Sequence, residues 1–334
     1  MKWISSLIII SLIIILFTSG CAQKCGDDIC SPKEERRGTC PSDCTTTPGN
    51  NQLTPGDYRL TLNYDSLIRE YEIHVPQGYD NQVSTPLVLN FHGGAGNIDN
   101  AKKGTQMSPV SDKEGFIVVY PQASGEKTVR GITRGSWNAI RCCGTGKENN
   151  VDDVGFIREL VKEVSKKVNI DQKRVYAIGH SNGAAFTERL GCEASDIFAA
   201  VAMNAGRDSL NSCTGKIPSL FMQGTADPEV THLAGTCGGR VDPGWKCRSF
   251  DEYLDVVATR NGCDDTKEVI LSIGDATCSS YNSCDEEVNF CVIENHGHHI
   301  PGGEANLPEK LIGPLNNDLD GAQFVWDFFS DKIL

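Results

Sequence analysis

Val175-Tyr176-Ala177-Ile178-Gly179-His180-Ser181-Asn182-Gly183-Ala184-Ala185-Phe186 is the stretch on which the reading of this chain turns. Its first four residues are apolar, as a buried strand requires. Ala184, Ala185, Phe186 and Leu190 carry on at helical spacing. Between strand and helix, Gly179-His180-Ser181-Asn182-Gly183 fits G-x-S-x-G, a sharp turn that presents a serine hydroxyl at a strand end. Its glycines have a geometric purpose. So tight a turn presses neighbouring backbone against positions 179 and 183, where a larger side chain would clash. The amino end of the following helix favours negative charge developing beside Ser181.

Outward from this turn the chain alternates. Residues 58–62 and 68–75 read as an antiparallel strand pair, with Tyr71, Ile73 and Val75 spaced by polar residues. Further short strands are expected over 86–91, 116–120, 174–178, 198–203, 219–222 and 288–293. Val154, Ile157, Leu160, Val161 and Val164 predict a helix over 153–168, with Asp152 and Asp153 as N-cap and first-turn charge. Other helices are expected over 182–190, 250–260 and 322–329. Such alternation means an α/β class: a mostly parallel central sheet with helices on both faces. Sites on these sheets form at the carboxyl ends of strands.

An unassisted serine hydroxyl is a weak nucleophile and needs a base. In the α/β-hydrolase fold the chain order is serine, acid, histidine. Downstream of Ser181 stand His232, His296, His298 and His299. The last three follow the final predicted strand, on a loop that can reach back to Ser181. The acid should follow the strand before that one, where Gly224-Thr225-Ala226-Asp227-Pro228 turns off residues 219–222; Asp208 is the rival. Asp227 would hold the imidazole tautomer and stabilise the imidazolium. An oxyanion hole needs two N–H donors. Asn182 supplies one, and the loop His92-Gly93-Gly94-Ala95-Gly96 the other, at Gly94 or Gly93. Trp137 and His92 are the candidate substrate-contacting residues. Each has a plain alternative: Trp137 packing under the Cys142-Cys143 loop, and His92 packing under the site. No metal or organic cofactor is required; the alternative for residues 296–299 is adventitious metal binding.

The 334 residues carry a formal net charge of -13 and no basic run, which argues against nucleic acid as a partner. Lys2, the apolar run 3–17 and Thr18-Ser19-Gly20-Cys21 read as an export signal over residues 1–20. A spanning helix takes roughly 20 apolar residues, more than this run offers. Its end resembles a lipobox with Cys21 as the lipidated residue, although Thr18 stands where leucine is usual. Contact with a membrane would then be through that lipid alone. Fifteen cysteines imply an oxidising compartment, secreted or at the cell surface, and leave enough for up to seven disulfides. Cys25, Cys30, Cys40 and Cys44 fall in a Cys-rich segment with a flexible linker, residues 21–53, read as disulfide-bonded rather than zinc-binding. The adjacent Cys142 and Cys143 are expected to bond to different partners and staple their loop. The remaining residues, 54–334, form one disulfide-stapled domain.

Taken together, His92-Gly93-Gly94, Trp137-Asn138, Cys142-Cys143-Gly144, Asp152-Asp153-Val154-Gly155-Phe156, Gly179–Gly183, Gly224–Pro228 and His298-His299-Ile300-Pro301-Gly302-Gly303 resemble the polyhydroxybutyrate depolymerase and feruloyl esterase-like family of secreted esterases. The resemblance covers the chain from about Asp57 onward. That family's tail reads Gly-Gly-His-Thr-Trp-Pro-Gly, and aligning Pro301-Gly302 puts the catalytic histidine at His298. His299-Ile300 replaces Thr-Trp, so an aromatic side chain is missing near the site. The resemblance implies a serine esterase acting through an acyl-enzyme on a polymeric or small ester: feruloyl or acetyl esters of polysaccharide, or alternatively a polyhydroxyalkanoate. A surface-binding module on a degenerate hydrolase fold is the reading of another class; it predicts loss of a catalytic group.

Overall fold

Strand residues two apart share a face, and here both faces of the central strands are apolar. The computed structural model describes residues 52–334 apart from 129, 130, 132, 239–241 and 243. The expected export signal, Cys21 and the Cys25–Cys44 segment lie outside the described residues. The first elements are β1 (Gly56–Tyr64), β2 (Leu67–Val75), β3 (Thr85–Phe91), α1 (Ile98–Thr105), α2 (Met107–Glu114) and β4 (Ile117–Pro121). There follow β5 (Gly125–Lys127), β6 (Thr133–Gly135), α3 (Thr145–Glu148), α4 (Asp153–Ser165), β7 (Ile170–His180), α5 (Asn182–Glu193), β8 (Ala200–Asn204) and β9 (Ser219–Gly224). The last are β10 (Gly235–Thr236), β11 (Lys246–Cys247), α6 (Phe250–Arg260), β12 (Lys267–Ile273), β13 (Ala276–Tyr281), β14 (Val288–Ile293), α7 (Glu309–Ile312) and α8 (Gly321–Phe329).

A 10-stranded sheet runs in the order β1-β2-β4-β3-β7-β8-β9-β14-β13-β12. From β4 to β14 the strands are parallel. Antiparallel strands finish both edges. Leu87, Leu89, Phe91, Val175 and Ala177 point into a core shared with α4, α5 and α6, through residues such as Phe156, Phe186 and Leu254. Val88, Tyr176 and Ile178 point the other way, against Ile98, Met107, Val325 and Phe329 of α1, α2 and α8. Each such side chain contributes about 1.5–3 kcal/mol on burial, so helices are held against both faces. This is the expected α/β-hydrolase arrangement. β7 lies mid-sheet, and Ser181 follows its last residue.

Asp152 caps α4 by accepting from Gly155 N at 2.9 Å. Asp153 does more than add first-turn charge. It is fully buried and paired with the buried Arg69 at 2.7 Å. Its other oxygen accepts from Asn138 N at 2.8 Å, which fastens the loop carrying Trp137. The Arg69 guanidinium lies 3.8 Å from the centre of the Phe156 ring.

The described cysteines form disulfides 142–143, 192–213, 237–247, 263–284 and 278–291. One expectation is corrected: Cys142 and Cys143 bond to each other, the other described cysteines being paired among themselves. Among the described residues no helix is long and apolar enough to cross a membrane.

Asp153→Ala leaves Arg69 charged, buried and without its carboxylate. We expect a loss of about 3–5 kcal/mol of unfolding free energy. Urea unfolding measures it; a loss below about 1 kcal/mol would mean that water or another group takes over from the carboxylate.

Candidate active site

The turn after β7 is as crowded as its glycines imply. A Cβ on Gly179 would sit 2.1 Å from Gly183 O, and one on Gly183 2.4 Å from Phe91 O and 2.5 Å from His92 O. Ser181 itself has φ 57, a left-handed conformation that non-glycine residues rarely adopt. That conformation lifts its side chain off the sheet into a cleft of about 190 Å³.

Three residues far apart in sequence meet there. His298 Nε2 lies 2.8 Å from Ser181 Oγ. Its Nδ1 lies 2.8 Å from Asp227 Oδ2. A carboxylate only accepts, so Nδ1 carries the proton and Nε2 is free to receive one from the hydroxyl. Asp227 is itself held: Oδ1 accepts from Glu229 N and Val230 N, each at 2.8 Å. The rival acid, Asp208, pairs with Arg248 and stands 3.8 Å from Arg141 instead. Behind Asp227 sit two residues that sequence reasoning missed. Gln223 Nε2 approaches Asp227 Oδ2 at 3.4 Å, and the buried Arg207 donates to Gln223 Oε1 at 3.0 Å. No periodicity marks Arg207 as buried; its place just after β8 is the one available signal.

The loop after β3 lies alongside the turn. A Cβ on Gly93 would come within 3.2 Å of Ser181 Cβ, and one on Gly94 within 3.5 Å of Asn182 Cβ. The backbone of Gly93 and Gly94 thus lies against Ser181 and Asn182.

Trp137 is a correction. It is fully buried and stacks on Phe186 at 5.0 Å, so no substrate reaches its face. Its N–H accounts for the burial: Nε1 donates to His92 O at 3.0 Å. Its backbone N donates to Asn182 Oδ1 at 2.7 Å, and Asn182 Nδ2 donates back to Trp137 O at 3.1 Å. Trp137 therefore clasps together the two loops that frame Ser181. His92 is corrected likewise. It is 1% exposed, and its Nε2 accepts from Ala123 N at 3.1 Å while Nδ1 donates to Gly93 O at 2.8 Å. Its polar atoms hold the loop, leaving none for substrate.

A family model described as esterase PHB depolymerase matches residues 69–277. Feruloyl esterase B of Piromyces equi is 27% identical over 243 residues, 69% of this chain and 42% of that protein. A putative esterase, NocK, of Nocardia uniformis subsp. tsuyamanensis is 25% identical across 96% of both chains. Poly(3-hydroxybutyrate) depolymerase of Ralstonia pickettii is 30% identical over 46% of this chain and 32% of its own. The chain thus spans less than half the length of the Piromyces and Ralstonia proteins. Among solved structures, an acetyl xylan esterase from Aspergillus awamori shares the fold, with TM-score 0.54, 15% identity and coverage of 74% of this chain and 95% of that one.

Three further histidines, His92, His180 and His296, are kept neutral by burial. Burial pushes His92 and His296 down to about 4. Burial first, then the nearby His298, holds His180 well below the ordinary value. His296 Nδ1 accepts from Asn316 N at 3.0 Å and its Nε2 donates to His299 O at 3.2 Å, so both nitrogens serve backbone. Among the described residues no group of three or more His, Cys, Asp or Glu could hold a metal ion. These depressed values have a consequence for stability. Each ring binds a proton more readily unfolded than folded, so its stabilisation is complete above about 6.5, the unfolded value, and is lost as pH falls toward the folded one. His296→Gln should flatten the loss of stability below about pH 6 by up to about 1.4 kcal/mol per pH unit. Urea midpoints across that range measure it, and an unchanged slope would show that His296 protonates as easily folded as unfolded.

Proposed function

The chain belongs to the esterase PHB depolymerase family, and we propose that it is an exported serine carboxylic-ester hydrolase acting on feruloyl or acetyl esters of polysaccharides. One observation carries the reading: the hydrogen-bonded line Ser181–His298–Asp227 at the floor of an open cleft. In this proposal His298 Nε2 takes the proton of Ser181 Oγ as the oxygen attacks the ester carbonyl. The carbonyl oxygen becomes an anion held by the N–H groups of Asn182 and Gly94. His298 then gives its proton to the departing alcohol, leaving the acyl group on Ser181. Water enters, loses a proton to His298 and releases the acid. Asp227 stays ionised and steadies the imidazolium at each stage.

Residues 1–20 are the export signal in this reading, Cys21 a lipid attachment point and residues 21–53 a Cys-rich tether to the domain from residue 54. Disulfides throughout the described domain support an oxidising compartment. A polymer too large to import suits an enzyme placed outside the cell. A second reading, polyhydroxyalkanoate depolymerase, draws on the Ralstonia relative.

The test is hydrolysis of methyl ferulate, p-nitrophenyl acetate, acetylated xylan and a hydroxybutyrate oligomer by the mature protein beside Ser181→Ala. We expect turnover of the ferulate or acetate esters, and a fall in kcat of about 10⁴-fold or more on substitution. Turnover of the oligomer alone would favour the polyester reading. A folded wild type inert on all four would return the chain to a binding module.

A further inference from the structure

Two recesses meet at Ser181 and His298, and their walls differ in chemistry. The first has Phe91 and Ile300 in its lining and opens past the polar, mostly exposed Asn100, Arg134, Glu304 and Asn306. The second is smaller, about 130 Å³, and is lined by Val230, Trp245, Ile312, the Cys142–Cys143 disulfide and Cys237, with Glu229 its one acidic residue among those described. An ester bond placed on Ser181 sends its two halves into different recesses. A sugar exchanges its bonds with water for bonds to side chains, which the first recess offers. A planar acyl group gains from polarizable walls, which the second offers in its sulfurs and its indole.

We propose that the slot between the Cys142–Cys143 disulfide and Trp245 receives the acyl half of the substrate, and that these two walls set the preference for a planar aromatic acyl group over acetyl. The inference rests on the ester-hydrolase reading above. Adjacent cysteines joined to each other close a small ring. It presents sulfur at a point where a loop would otherwise present polar side chains. The two walls are fixed to one another. Arg141 donates to Lys246 O at 3.3 Å, and Lys147 to Asp242 Oδ2 at 3.1 Å, bridging the Cys142 loop to the hairpin that carries Trp245. Trp245 also supplies an aromatic surface in the recess that holds Ser181 and His298. Acetyl has no ring to lay against the indole and the sulfurs, so these walls favour it less.

The experiment compares kcat/KM for methyl ferulate and for p-nitrophenyl acetate in wild type, Trp245→Ala, Trp245→Phe and Cys142→Ser/Cys143→Ser. Asn182 Nδ2 also approaches Cys142 Sγ at 3.7 Å, so losing that sulfur can slow every ester, and the ratio of the two substrates isolates the slot. We expect the ferulate-to-acetate ratio to fall by about tenfold in Trp245→Ala and in the double cysteine variant, with substantial recovery in Trp245→Phe. Equal losses on both esters would make these residues mere staples and overturn the proposal. If the cysteine variant does not fold, the Trp245 pair decides alone. A folded wild type that hydrolyses neither ester removes the underlying reading, and the inference with it; an active wild type with an unmoved ratio removes the inference only.

Discussion

Backbone pressed against backbone is the constraint on which the site depends. Gly183 lies so close to the carbonyls of Phe91 and His92 that no side chain fits between them. This approach ties the turn after β7 to the end of β3, and so places Ser181 and Asn182 beside Gly93 and Gly94. The left-handed conformation of Ser181 is stable only because both flanks are held. Trp137 completes the hold from the third side, with its indole on His92 O and its backbone on the Asn182 amide. Arg69 and Asp153 hold Trp137's loop in turn. The chain of dependence runs from a buried ion pair, through one aromatic clasp, to the N–H groups that would meet an oxyanion.

Charge around His298 is arranged with similar economy. An imidazolium formed next to other cations would be unfavourable. Yet His180 stands 4.7 Å away, ring to ring, and His296 and His299 are also near. Burial keeps His180 and His296 neutral at ordinary pH, so these rings crowd the site without charging it. Arg207 remains charged but is set back, reaching Asp227 only through Gln223. It can orient the carboxylate without competing for its contact with His298.

Much of this was legible in the sequence, for reasons that can be stated residue by residue. The turn at 179–183 announces itself because steric crowding demands glycine at both ends. Asp227 follows from chain order once β9 is recognised as an apolar run; chain order narrows the base to the histidines after β14, and the family resemblance at Pro301-Gly302 picks out His298. Trp137 was only half legible. A loop rich in glycine and arginine left its indole open either to substrate or to packing under the Cys142-Cys143 loop, and it is the distant His92 carbonyl, which satisfies its N–H, that makes full burial tolerable. Residues 98–114 carry too few large apolar side chains to declare two helices; Gly104, Thr105, Ser108 and Ser111 are buried there without an apolar signal. β12 hides for the opposite reason: Val269, Ile270 and Ile273 look like core but stand exposed on an edge strand. Pairing of adjacent cysteines depends on what surrounds them in space, which spacing does not encode.

The proposed catalytic groups and the walls around them are secured by different means. Ser181, Asp227 and His298 follow β7, β9 and β14, three parallel strands whose register is fixed by hydrogen bonds along their length. Cys142, Cys143 and Trp245 sit on segments that add no strand to that sheet. A segment without a ladder must gain rigidity elsewhere, and here the Cys237–Cys247 bond closes the hairpin while Cys142–Cys143 locks its own loop. Such a division lets the shape around the nucleophile vary while the sheet keeps the reacting atoms in place. Both bonds persist only under oxidising conditions, so these walls depend on the redox environment in a way that the sheet's ladders do not.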